Sequence, residues 1–240
     1  MNLFLFVGLP YASIFIMLIG SVFIYNNREY RFSSLSTQLL ESNGLHKGAN
    51  LFHAGLIFLF FGHLTAFVFP ASVLHWNADQ FRLIVLEVSA TGFALAALFG
   101  VIVLAVRRLK NERIRVVTSK LDILVYVLLI TQIISGLVIA YYHRWGSSWF
   151  ASTLTPYLYS LFTLSPDIKA IEIMPISVKI HIVSASLIIG VIPFTRFLHF
   201  LVYPIGYFFR RPQVVIWNRD AKEKRSTKDI AGQGVRPSNN

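Results

Sequence analysis

Four histidines define the chemistry open to this chain. His53 and His63 lie in residues 50–73, and His181 and His199 in residues 179–203, two stretches otherwise apolar enough to cross a bilayer. An imidazole in hydrocarbon is costly and marks a functional site by default. His53 and His63 are ten residues apart, about 15 Å along a helix, so they stand at two depths. His181 and His199 are eighteen apart, five whole turns at about 100° per residue, so an unbroken helix puts them on one face. Two helices offering two imidazoles each suggest two bis-histidine metal centres, with haem as the natural candidate. Such ligation leaves no open iron position, which suits electron transfer and argues against binding of oxygen or nitrite.

The elements that must position these residues follow from composition. In 240 residues, 55% are hydrophobic and the mean hydropathy is +0.61, outside the range of soluble domains. Five apolar runs each reach the length that about 30 Å of hydrocarbon requires. The expected fold is all-α, an integral membrane bundle of five transmembrane helices over residues 3–25, 51–73, 83–106, 121–142 and 180–203. Residues 1–208 form the membrane domain and 209–240 a basic tail, flexible or bound to a partner. The first 25 residues lack a basic leader and a cleavage site, and are expected to be a retained span in which Pro10 introduces a kink. Two further segments, residues 31–42 and the Pro156-interrupted aromatic run 149–164, are expected at the membrane interface. With no cysteine there is no disulfide, no thiolate-held cluster and no covalent haem attachment through a C-x-x-C-H motif.

The net charge of +11 follows topology and gives no reason to invoke nucleic acid. Three Lys and Arg lie in the first connection, six in the 107–120 connection and eight in the tail, whereas the opposite side carries four: Arg82, Arg144, Lys169 and Lys179. Positively charged connections stay cytoplasmic, so the N-terminus is expected outside and the C-terminus in the cytoplasm. That orientation pairs His63 with His181 toward the outside and His53 with His199 toward the inside. The rises of about 27 Å and 15 Å do not match on straight helices; tilt, canted haem planes and a kink at Pro193 are expected to share the difference. Arg196, three residues before His199, either neutralises a haem propionate or snorkels at a helix end. His46, His75 and His143 read as ordinary residues of the connections.

Several separated motifs then point to one family. S-x-Q-L-L-E-x-x-G at Ser36 to Gly44, N-L-F-H-x-G at Asn50 to Gly55, Gly62-His63, R-x-R-x-x-T from Arg113 to Thr118 and P-F-T-R-F-L-H from Pro193 to His199 resemble the gamma subunit of bacterial respiratory nitrate reductase, a membrane cytochrome b. The resemblance spans roughly residues 25–208. It implies two b haems, a distal one on His63 and His181 and a proximal one on His53 and His199. It further implies oxidation of menaquinol or ubiquinol near the outer face of the bacterial plasma membrane. Electrons then pass inward to an iron–sulfur beta subunit and a molybdenum-containing alpha subunit that reduces nitrate. No residue of this chain is expected to act on nitrate itself.

The family's quinol pocket adjoins the distal haem and includes a lysine at a place held here by Arg82, which keeps the charge but gives up a proton far less readily. Gly62 either lets a quinone head group approach His63 or, with Gly55 seven residues away, permits tight helix packing, and packing is the favoured reading. Glu87 either accepts a quinol proton or pairs with Arg82 or Lys179. The partner-facing surface is expected in residues 107–120, the first cytoplasmic connection and the start of the tail, although a solvated positive-inside loop explains the same charge. Two other readings stand beside this one. A dihaem subunit could serve a sulfite- or heterodisulfide-linked enzyme or a hydrogenase, and a histidine-containing transporter would carry no haem.

Overall fold

The computed structural model describes residues 2–27 and 45–199; the 31–42 segment, the end of the fifth expected span and the tail lie outside them. The described residues are all helical in their regular structure, and five of the helices are long and apolar enough to cross a membrane. A π turn, Phe4–Gly8, leads into α1 (Leu9–Asn27), followed by α2 (Leu45–Val68) and α3 (Pro70–Asn77). The long α4 (Gln80–Lys110), the short α5 (Glu112–Val116) and α6 (Lys120–Tyr142) come next. Then α7 (Gly146–Trp149), α8 (Thr155–Phe162) and α9 (Lys169–Glu172) precede α10 (Ile176–Val191). All of them belong to one compact unit, Met1–Ile205.

Prolines correct two of the expected spans. Pro70 cannot continue a hydrogen-bond ladder and pushes the residue before it out of the α region. Phe69 has φ −126° and ψ 58°, so α2 stops at Val68 and Pro70 starts α3, where the missing N–H costs nothing. The second span therefore ends five residues before Val73, and it begins six residues earlier than expected, which places His46 within α2 and His75 within α3. Pro193 acts more strongly. The last transmembrane helix starts at Ile176, not 180, and gives way to a 3₁₀ turn at Ile192–Phe194. Thr195 is extended with φ −118° and ψ 173°, and turns close from Thr195 to Ile192 and from Leu198 to Thr195. His199 thus lies beyond a break, not on a continuation of the face that carries His181.

The bundle is built by close approach of small residues. A Cβ placed on Gly55 would sit 2.3 Å from the Phe93 carbonyl oxygen and 2.7 Å from the Ala97 Cβ; one on Gly100 would sit 2.5 Å from the Phe52 nitrogen. α2 and α4 therefore touch backbone to backbone, which is how helices associate when lipid supplies no hydrophobic drive. α6 packs between α4 and α10, and α1 packs on α10. One core cluster joins Phe52, Ala97 and Val101 to Val125, Leu129 and Ile133.

At one end of the bundle, here the capped end, α3 and α7–α9 cover the helix termini. Phe6, Leu154, Tyr157, Leu161, Ile171 and Val178 bury one another there, so the 149–164 run joins the protein core. Pro10 offers no N–H to the carbonyl four residues before it, that of Phe6. The buried Tyr157 hydroxyl donates to that oxygen at 2.6 Å. Thr155 and Tyr159 likewise donate to the carbonyls of Ala66 and Phe67 near the end of α2, where the last turn leaves acceptors unpaired.

Tyr157→Phe is expected to destabilise the capped end by about 1–3 kcal/mol through the orphaned carbonyl, measured as a lower thermal midpoint in detergent. Burial first, and then the neighbouring Tyr11, push the Tyr157 phenol up from 10.0 to about 12. The folded state therefore holds this proton more tightly than the unfolded one. Its contribution is complete below pH 10 and is lost as pH rises toward 12, so wild type is expected to lose stability over that window more steeply than Tyr157→Phe.

At the other end, the basic end, α4, α6 and the turn after α10 are tied by charge. Asp122 Oδ2 lies 3.3 Å from Arg108 Nη1 and Asp122 Oδ1 3.0 Å from Arg196 Nε. Arg108 also donates to Thr118 Oγ1 at 3.2 Å, and Arg196 to the Val117 carbonyl at 3.3 Å. Ser119 and Asp122 form a reciprocal capping box at the start of α6, which fixes the carboxylate that both guanidiniums grip.

Candidate haem-ligand pairs

The four histidines come together in the two expected pairs. His63 and His181 have ring centroids 6.4 Å apart at an interplanar angle of 27°. His53 and His199 are also 6.4 Å apart, tilted by 60°. Imidazoles bound on opposite sides of one metal, each at about 2.0–2.1 Å with about 1.1 Å more to its ring centre, stand about 6.3 Å apart. Both pairs thus have the spacing of a bis-imidazole site. The rise mismatch is resolved after Phe194, where the chain leaves the helix axis and turns to bring His199 level with His53.

Ring orientation tells the same story. His53 Nδ1 is 2.7 Å from the Ala49 carbonyl and His63 Nδ1 2.7 Å from the Leu59 carbonyl, each four residues earlier. His199 Nδ1 meets the Arg196 carbonyl. A carbonyl only accepts, so each of these rings carries its proton on Nδ1 and keeps the Nε2 lone pair for a ligand, the arrangement that metal-bound histidines need. His181 differs. Its Nδ1 lies 3.0 Å from Ser135 Oγ and its Nε2 2.9 Å from Gln132 Nε2. The Gln132 amide occupies the nitrogen that would ligate iron, so that bond and an iron–nitrogen bond exclude one another. Phe150 packs edge-on to His63 at 5.3 Å. Gln132, Ser135 and Phe150 carry no sequence signal of their own and become visible only through these contacts. Among the described residues no group of three or more His, Cys, Asp or Glu is arranged to hold a metal ion; the histidines meet only in twos, which suits a group that brings its own equatorial ligands.

The other singled-out residues divide. Arg196 is neither a lone snorkelling cation nor aimed only at a ligand: it holds Asp122 and the Val117 carbonyl. Among the described residues Arg108 Nε is buried without a hydrogen-bond partner. Arg82 lies over the Trp76 ring at 5.2 Å. Glu87 pairs with neither Arg82 nor Lys179: its Oε1 accepts from the Ser147 N–H at 2.9 Å and the Ser147 hydroxyl at 2.7 Å. Lys179 instead donates to the Glu172 carbonyl. Trp145, with φ 66°, holds the left-handed turn that delivers Ser147 to Glu87, a strained conformation for a bulky residue.

The packing reading of Gly62 is overturned. Among the described residues nothing lies within 4 Å of a Cβ placed there, whereas Gly55 is crowded by α4. Gly55→Ala is expected to cost about 1–3 kcal/mol through overpacking, and Gly62→Ala to leave thermal stability unchanged. Equal midpoint losses for the two variants would contradict this division.

Known proteins supply the last finding. The family model described as nitrate reductase gamma subunit matches residues 2–218. A nitrate reductase gamma chain of Bacillus subtilis is 28% identical over 206 residues, covering 84% of this chain and 92% of that one. The respiratory nitrate reductase 1 gamma chain of Escherichia coli is 29% identical over 224 residues, covering 90% of this chain and 97% of that one. A nitrate reductase-like protein, NarX, of Mycobacterium tuberculosis is 27% identical over 226 residues, which cover 88% of this chain and 33% of that protein.

Proposed function

The chain belongs to the nitrate reductase gamma subunit family, and from that premise we propose that it is the quinol-oxidising dihaem cytochrome b of a respiratory nitrate reductase in a bacterial plasma membrane. The observation that carries the haem reading is the 6.4 Å separation found at both imidazole pairs. Bound there, the haems supply one-electron carriers at two depths, which lets a two-electron donor on one side serve a partner on the other. His63 and His181 hold the distal group, and His53 and His199 the proximal one. His53, His63 and His199 keep the Nε2 lone pair for the site because Nδ1 is committed to a backbone carbonyl, and His181 does so once Nε2 gives up the Gln132 amide. Arg196, three residues before His199 and hydrogen-bonded to Asp122, is placed to meet a propionate beside His199.

For the quinol, the open space at Gly62 admits a flat head group against His63. Arg82 keeps a positive charge near the start of α4, suited to hold a quinone carbonyl and unsuited to shuttle a proton. Glu87 is the carboxylate available for proton transfer. Its Oε1 is committed to Ser147, which directs a proton to Oε2.

Lys and Arg placement supports the orientation, with the capped end outside and the basic end in the cytoplasm. Quinol protons leave outside while nitrate reduction consumes protons inside, and moving each electron against the potential costs about 2.3 kcal/mol per 100 mV. An iron–sulfur beta subunit and a molybdenum alpha subunit dock at the basic end, which residues 107–120 help to form. These cofactors belong to the partners, because the chain has no cysteine to ligate an ordinary cluster.

A pyridine haemochrome determination on the purified chain, expressed with ample haem supply, tests the cofactor reading. Two b haems per chain are expected, falling to one in His63→Ala. A chain without haem under those conditions would overturn it and return the four histidines to the transporter reading.

A further inference from the structure

His181 sits in a seat made by one turn of α6. A Cβ on Gly136 would come within 3.1 Å of the His181 Cε1, so the absence of a side chain there is what lets the ring lie against the helix. Ser135 Oγ is 3.0 Å from His181 Nδ1 and 3.0 Å from the Gln132 backbone oxygen. A hydroxyl has one proton to give. With that proton given to the carbonyl, Ser135 accepts from His181 Nδ1–H. The Nε2 lone pair then accepts from the Gln132 amide, whose oxygen is in turn held by the Ser184 hydroxyl. The Ser184 hydroxyl also reaches the His181 carbonyl oxygen at 3.2 Å, and with Nδ1 donating to Ser135 the Nε2 lone pair is the one left for a ligand.

This arrangement sets His181 apart. The other three histidines give Nδ1–H to carbonyls of their own chain segment, three or four residues earlier. His181 gives its proton across a helix interface to a hydroxyl, which is a weaker acceptor than an amide carbonyl. An imidazole whose N–H is held less strongly donates less electron density to a bound metal. We propose that Ser135 is the positioning residue of the distal site. It fixes the tautomer and rotation of His181 and sets the ligand strength of that imidazole, while Gly136 provides the room. The inference rests on the reading that the His63–His181 pair binds haem.

The test uses the assembled complex as wild type, Ser135→Ala and Ser135→Thr, in a redox titration that follows the two b haems separately, alongside transfer of haem to a competing apoprotein. In Ser135→Ala the distal haem is expected to be held about 10–100-fold less tightly, the scale of losing a partner of a metal ligand. Its midpoint potential is expected to rise, because the Nδ1 proton has lost its acceptor, and its ferric low-spin resonance signal to change. The proximal haem keeps its values, and Ser135→Thr restores the distal ones. Two haems with unchanged potentials and unchanged retention in Ser135→Ala would overturn the proposal, as would equal changes at both haems, which mark a packing effect. A wild-type complex without a haem on this pair would overturn the underlying haem reading instead, so the two failures are distinguishable.

Discussion

His63→Ala in the assembled complex is expected to lower quinol-driven nitrate reduction at least about a hundredfold, since losing even a supporting partner of a metal ligand acts on that scale. The substitution removes an imidazole standing 6.4 Å from its partner and with it, on the proposed reading, the distal haem. Reduced viologen, which feeds electrons to the partner subunits directly, should drive nitrate reduction at the wild-type rate in the same preparation. The contrast between the two donors separates loss of electron delivery from failure of assembly. His181→Ala should behave alike. Retention of quinol-driven turnover within a factor of two in either variant would sink the proposed electron path.

Asp122→Asn carries the largest expected effect on stability, a loss of about 2–4 kcal/mol, because breaking a partly buried pair leaves its partner charges poorly compensated. The Asp122 and Arg108 side chains are 12% and 11% exposed, and the same carboxylate also holds Arg196 at 3.0 Å. The substitution therefore removes the carboxylate that both guanidiniums hold and weakens the capping box at the start of α6. Arg196→Met is expected to cost less, since the Arg108–Asp122 bridge survives. Thermal unfolding of the detergent-solubilised chain reads both, and equal losses in the two variants would contradict the assignment of Asp122 as the shared centre.

Much of the plan was legible because it follows from length and spacing. Five apolar runs count the spans, and ten residues between His53 and His63 fix two depths without any tertiary information. Where the expectation failed, the cause was local chemistry that hydropathy does not register. Phe69-Pro70 reads as apolar, yet the missing proline N–H ends α2 there. Pro193 was legible as a kink, but the full break that levels His199 with His53 depends on how the turns at Thr195 and Leu198 close. Gly55 and Gly62 share a face at seven residues' spacing, and sequence alone cannot say that α4 crosses at the first and leaves the second open. The seat of His181 was invisible for a different reason: Gln132 and Ser135 are ordinary polar residues in a span until α10 lies beside α6. Glu87 stood out as a carboxylate inside an apolar span, but its partner Ser147 comes from the short α7, sixty residues away and beyond any local pattern.

The most direct measurement of the central claim is optical. The assembled complex is made anaerobic, quinol is added, and the b-haem absorption is followed before and after nitrate. The account predicts that both haems reduce on quinol addition and both reoxidise when nitrate arrives, with neither change at the distal haem in His63→Ala. Haems that quinol leaves oxidised, or that stay reduced in the presence of nitrate while the enzyme turns over, would contradict it.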